Sequence, residues 1–205
     1  MKKDIIAVTK VPANIDAPLQ CGDEHSEIRF YRSNEKPYGA FSNLFRRSIL
    51  FEGRIYPTSE HAYQAGKVRK DSVREWLLSA PSPALVAMVA HGLYTWDIVP
   101  NWSAIKFERM RQVLRAKFSQ HEDLHSLLIS TGEARIVEVG TADNAVNRLW
   151  GEVKGKGKNM LGIILMEVRA DLRIRASLPQ REKETHMLRS PKYIAQGCCE
   201  QREIE

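Results

Sequence analysis

The sequence predicts an α+β, predominantly helical single domain with a small antiparallel sheet. Three observations carry that class. The 205 residues suit one domain with extensions, and an apolar content of 43% is enough to bury a real core. Long stretches repeat apolar residues at helical spacing. Strand-like alternation is confined to a few short runs, one of them a hairpin.

The elements follow in order. Residues 1–25 lack steady periodicity and read as an N-terminal arm. "EIRFY" (27–31) alternates and is β-rich, so it predicts a strand. "SILFEGRIY" (48–56) predicts a hairpin turning at Glu52-Gly53. Pro57 ends that strand, and Thr58 is placed to cap a helix over 58–69. Further helices are expected over 71–79, 83–91, 101–118 and 121–130. "ARIVEVG" (134–140) predicts a strand, and "TADNAVNRLWGEVKGKGKN" a long glycine-bearing loop. Asn159 is placed to cap a last helix to Arg173, with Leu161, Ile164, Leu165, Val168 and Leu172 as its apolar stripe. Residues 176–205 read as a mobile tail, which leaves 26–175 as the domain.

Composition bounds the function only coarsely. No apolar run approaches the roughly 20 residues that span a bilayer. The apolar run behind the N-terminal lysines is too short for a secretory leader. A cytoplasmic protein without membrane partners is expected. Cys21, Cys198 and Cys199 have no zinc spacing and read as reduced thiols. The formal charge of +6 leans towards a phosphate or nucleic-acid partner.

Chemistry concentrates in four places. In the helix from Thr58, Glu60, Tyr63, Gln64 and Lys67 share one face, at helical spacing. His61, Ala65 and Val68 form the neighbouring, packing side. The polar face is either the floor of a pocket or a solvated surface. Glu60 lies in the first turn, where the helix dipole favours its ionised form as a general base or cation stabiliser. On the helix from Asn101, Lys106 lies in line with Trp102 and Met110. It is either a partly desolvated amine, able to act as nucleophile or acid/base, or a snorkelling stem. Arg109, Arg111, Arg115 and Lys117 give that helix a basic surplus that can attract phosphates or simply face water.

Asp97, between Trp96 and Trp102, marks either an aromatic-walled pocket or ordinary core packing. The fourth place is "DNAVNRLWGEVKGKGKN", with Asp143, Asn147, Trp150, Gly151, Gly155, Gly157 and Asn159. Glycines ahead of a helix N-terminus let backbone N–H groups approach an anion, although the spacing is neither a Walker loop nor a dinucleotide fingerprint. His61, Gln64 and Asp143 join the candidate binding set. His121 and His125 are spaced as a metal pair but lack a third ligand, so neither a metal nor a cofactor is expected.

Five stretches in this order resemble the NADAR (YbiA-like) family. They are "FYRSNEKPYGAFSNLF", "GRIYPTSEHAYQAGK", "WDIVPNWSAIKFERMRQVLRAKF", "LLISTGEARIVE" and "DNAVNRLWGEVKGKGKNMLGIILMEVR", covering roughly 29–173. The resemblance implies a compact, mostly helical domain that hydrolyses an N-glycosidic bond at a ribose or ribose phosphate. It implies catalytic roles for Glu60, Lys106 and Asp97, although Trp96 precedes Asp97 here and the next tryptophan waits until Trp102. It also implies a pocket lined by Phe30, Tyr31, Gly39, Ser42 and Asn43, a Trp150-Gly151 pair, and a glycine loop through Gly155, Gly157 and Asn159.

Two substrate groups follow from the resemblance. One is phosphorylated riboflavin-pathway intermediates. The other is ADP-ribosyl-guanine in nucleic acid, with a DarT-like ADP-ribosyltransferase as functional partner. A non-catalytic module binding ADP-ribose or an NAD derivative is the alternative.

Overall fold

The computed structural model describes residues 26–177. The expected N-terminal arm, nearly all of the expected tail and the three cysteines lie outside the described residues. Thirteen elements are ordered along the described chain, seven of them α-helices. The α+β, helix-dominated class is therefore what the chain adopts.

Strand β1 (Glu27–Phe30) pairs with β4 (Arg135–Glu138). β2 (Ile49–Phe51) pairs with β3 (Arg54–Tyr56) as the expected hairpin, with Glu52 and Gly53 both at positive φ in its turn. The expected small antiparallel sheet is instead two separate two-stranded sheets among the described residues. β2–β3 is antiparallel, whereas β1 and β4 run parallel, Glu27 opposite Arg135 and Phe30 opposite Glu138. A parallel pair needs a long crossover. Here most of the helices make that crossover, and no local pattern announces it.

Helix α1 (Ser59–Ala65) starts where Thr58 Oγ1 accepts the His61 N–H. It stops at Gly66, sooner than its periodicity suggested. Helices α2 (Asp71–Leu78) and α3 (Pro83–His91) follow, the latter capped by Ser82 with proline at its first position. Then come α4 (Trp102–Gln120), α5 (Glu122–Ser130), α6 (Ala145–Trp150) and α7 (Met160–Ser177). Helix α6 falls where only loop was expected. Six residues with none buried give no apolar stripe, and its one local signal is the Asn144 cap, which accepts the Asn147 N–H.

Asn159 is not the side-chain cap expected for the last helix. It sits at φ 48, with Oδ1 accepting the Glu138 N–H and Nδ2 donating to the Ile136 carbonyl. Its amide is spent fastening β4 to the start of α7.

Three apolar clusters build the interior. The largest joins Phe30 and Phe41 to the inner faces of α4, α5 and α7. A second lies under the hairpin with Ile49, Phe51 and Val113, and a third holds α2 against α3. Helix α1 and the segment after it reach all of them: Tyr63 belongs to the first, Ala62 and Ala65 to the second, and Val68, just beyond the helix, to the third.

The basic surplus of α4 is consumed internally. Arg109 pairs with Glu52 and donates to the Ala62 and Tyr63 carbonyls; Arg111 pairs with Glu108 and Glu167, and Arg115 with Asp171. Lys117 is 0% exposed, and its ammonium donates to the carbonyls of Ala40 at 2.6 Å and Ser42 at 2.9 Å. Burial pushes its pKa down to about 7. Among the described residues, no helix is long and apolar enough to cross a membrane.

Candidate functional site

A cavity of about 420 Å³ opens where α1, β4, α6 and the Ser42–Leu44 segment converge. Helix α1 contributes Glu60, Tyr63 and Gln64, three of the four residues on its polar face. Every residue of α1 is buried, so that face is not a solvated one. The Asn43 carbonyl accepts the Glu60 N–H at 3.1 Å and ties the Ser42–Leu44 segment to the first turn of α1.

Glu60 is 7% exposed, and burial raises its pKa from 4.5 to about 7. Gln64 Nε2, donating to Glu60 Oε1 at 2.8 Å, and the Lys67 ammonium both work against that rise. This corrects the expectation of a carboxylate held ionised by the helix dipole. A dipole contributes about 0.3–1 kcal/mol at a helix end, less than the desolvation of an enclosed carboxylate, so burial decides the direction.

A second carboxyl faces the same cavity. Glu138, the last residue of β4, is half-buried in its lining, and its pKa is also raised to about 7. Burial is the larger cause, and the charge of Glu60 adds to it. Sequence reasoning passed over Glu138 because it took "ARIVEVG" only as a strand. The available signal was an acid directly after two apolar residues at a strand end.

Around this pair the lining divides into aromatic and polar parts. The Trp150 ring lies 5.6 Å edge-on from Tyr63 and 5.5 Å from Phe107. Tyr31 hydroxyl and Thr141 Oγ1 share a hydrogen bond of 3.0 Å at the exposed side. Asn43 Nδ2 donates to Met110 Sδ at 3.3 Å, while Asn43 Oδ1 and Gln64 Oε1 are buried without a partner. An orphaned buried acceptor is costly unless a donor reaches it. Both orphans belong to residues that line the cavity.

Of the expected residues, the structure thus gathers Glu60, Gln64, Tyr31, Ser42, Asn43, Asn147, Trp150 and Gly151 on one cavity. The others do not line it. Lys106 is half-buried on α4, with its ammonium 4.9 Å from the Phe107 ring centroid. Lys67 is the lysine that feels Glu60: burial lowers its pKa, Glu60 raises it, and its ammonium donates to the Ala90 carbonyl. Asp97 is buried beside Lys70, 2.9 Å from its ammonium. Trp102 stands behind the wall, 5.2 Å from Tyr63. Asp143 is exposed and paired with Arg148. His61 is turned to the other side of α1, 2.8 Å from Thr58 Oγ1. Gly39 packs so tightly under the Arg32 and Ser33 carbonyls that a side chain would not fit.

Gly155 and Gly157 lie outside the lining, with Asn159. A Cβ at Gly157 would strike the Gly151 carbonyl oxygen, and one at Gly151 the Glu138 carbonyl oxygen. This run of close backbone approaches, with the Asn159 amide, sets where β4 ends and hence where Glu138 stands.

The chain resembles known proteins over this same region. A family model described as the NADAR domain matches residues 29–173. N-glycosidase YbiA of Escherichia coli (strain K12) is 40% identical over 148 residues, covering 72% of this chain and 89% of the relative. N-glycosidase Npun_R5314 of Nostoc punctiforme is 33% identical over 154 residues, covering 74% and 96%. A riboflavin biosynthesis protein of Vibrio vulnificus is 34% identical over 146 residues, covering 71% of this chain but 38% of the relative. The solved structure of the E. coli protein YbiA superposes with a TM-score of 0.66 at 36% identity, covering 78% of this chain and 92% of that one. The match spans every element from β1 to α7 that builds the cavity, and the chain belongs to the NADAR domain family.

Proposed function

We propose that the protein is an N-glycosidase that hydrolyses a ribosyl C1′–N bond, with Glu60 and Glu138 as its paired acid and base. The observation that carries this reading is the pair itself: two carboxyls on one cavity, each raised to about 7. Like charges in one site resist ionising together, so near neutrality the pair favours one proton shared between two positions. That is the state a glycosidic hydrolysis uses. The protonated carboxyl donates to the leaving nitrogen as the C1′–N electron pair departs with the base. The ionised carboxyl faces the positive charge on C1′ and the ring oxygen, then takes a proton from the water whose oxygen bonds to C1′. Asn43 Oδ1 and Gln64 Oε1 are free to accept ribose hydroxyls, and Trp150 and Tyr31 supply aromatic faces for the base or the sugar.

Relatives named N-glycosidases support the reaction class. Within it, the substrate is ADP-ribosyl-guanine in nucleic acid or a phosphorylated riboflavin-pathway intermediate; the name of the Vibrio relative favours the latter. Incubation with ADP-ribosylated DNA and, separately, with the pyrimidine intermediates is expected to release free base from one of them. Glu60→Gln is expected to bind that substrate and not turn it over; normal cleavage by this variant removes Glu60 from the mechanism. Binding without turnover by the wild-type chain identifies a binding module instead. Lys106 lies off the cavity, so borohydride is expected to trap no adduct on it.

A further inference from the structure

Behind α1, on the side away from Glu60, lies a second hollow. A recess of about 340 Å³ is lined by Arg46, Thr58, His61 and Ser82 among others. It adjoins a shallower one of about 500 Å³ through Arg46, Ser82 and Pro83, and that one reaches Leu44, which also lines the main cavity. The three hollows form a track around the Ser42–Leu44 segment. Among the described residues, no acidic side chain lines either recess.

Two side chains in the recess are left without work by the fold. Arg46 is exposed and makes no ion pair or hydrogen bond with any other described residue, unlike its neighbour Arg47, which pairs with Asp123. His61 is 4% exposed, yet only one of its ring nitrogens is bonded. Thr58 Oγ1 accepts the His61 backbone N–H and lies 2.8 Å from Nδ1, to which its own proton can go. In that tautomer the ring proton stands on Nε2, a donor with no partner among the described residues. Burial, then the charge of Arg46, lowers the pKa of His61, in the direction of the neutral ring. Ser82 caps α3 from the same wall, adding a hydroxyl and the positive end of a nine-residue helix.

We propose that Arg46 and His61 form a subsite for a phosphate group, beside the main cavity and distinct from it. An unpaired guanidinium, the Nε2–H of His61 in the tautomer that takes the Thr58 proton on Nδ1, and a serine hydroxyl, with no competing carboxylate among the described residues, are the donor set an oxyanion requires. That the phosphate belongs to the substrate rests on the N-glycosidase reading; that the recess takes phosphate does not.

The test uses the full chain and two probes, inorganic phosphate and dimethyl phosphate, the second standing for a nucleic-acid diester. Each is titrated while the His61 imidazole resonances are followed by NMR. At least one probe is expected to shift them saturably, and Arg46→Gln to weaken that binding at least tenfold. Arg175→Gln, a change of exposed charge elsewhere, is expected to leave it unchanged. The probe that binds tells a monoester site from a diester site. No saturable shift with either probe, or equal affinity in Arg46→Gln, overturns the subsite. Neither result touches the base-release assay on Glu60, so the two readings fail separately.

Discussion

Helix α1 and the segment from β4 to Asn159 each bring one carboxyl to the cavity, by opposite means. Helix α1 does it with side-chain periodicity: once the helix is buried, Glu60, Tyr63 and Gln64 fall together on one face. The second segment does it with backbone. Gly151 and Gly157 permit main-chain contacts that side chains would block, and the Asn159 amide grips β4 on either side of Val137. A functional residue is thus placed as firmly by chain-to-chain contact as by a helical face.

The largest expected effect separates the two carboxyls from their supports. Glu60→Gln keeps the shape of the cavity and removes the titrating group, so kcat is expected to fall by about 10²–10⁴, the range for a general acid or base. The same variant removes the charge that raises Glu138, whose pKa is expected to drop, as read by carboxyl carbon NMR.

Next comes Gly151→Ala, which touches no ionisable group. Its methyl displaces the Glu138 carbonyl, and a shift of about 1 Å in a reacting group costs about 10²-fold in kcat. Gly155→Ala, with open space at its Cβ and φ +73, carries only local strain and is expected to lower stability slightly with kcat near wild type. Equal losses of activity in the two glycine variants would break the comparison.

Asn159→Ala strips one buried and one partly buried hydrogen bond from β4 and leaves their partners unsatisfied. A loss of about 1–3 kcal/mol for each is expected in chemical denaturation.

Stability is also expected to depend on pH. Glu60 and Glu138, raised from 4.5 to about 7, hold their protons more tightly folded than unfolded. Their contribution is full below the unfolded pKa and is lost as pH rises through 7. Lys117, lowered from 10.5 to about 7, acts oppositely, and stability returns as pH climbs from 7 towards 10.5. Thermal unfolding is therefore expected to show a minimum near neutrality, with the acid limb flattened in Glu60→Gln.

The same contrast explains what was legible in the sequence. The face of α1 and the hairpin at Glu52-Gly53 could be read because their signals are local. Glu138 offered only the weaker signal of an acid after two apolar residues at a strand end, and nothing local says that this end meets α1 across a cavity. Lys106 and Lys117 on α4 show the limit of a local pattern. Lys106, in line with apolar neighbours, is half-buried as that pattern allows but lies off the cavity, and Lys117, counted with the basic surplus, is sealed inside. Which lysine is enclosed depends on where the Ala40 and Ser42 carbonyls arrive, and that is a tertiary fact.

Helix α1 is the shared wall of two apolar clusters, and through Val68 just beyond it reaches a third, as well as being the floor of the cavity. An occupant that binds only the folded form raises the free energy of unfolding by mass action. Pressed against this wall, it braces all three clusters together. Calorimetry with a bound product is then expected to show a single transition moving upward as one unit, where a pocket on a peripheral loop would steady only its own corner.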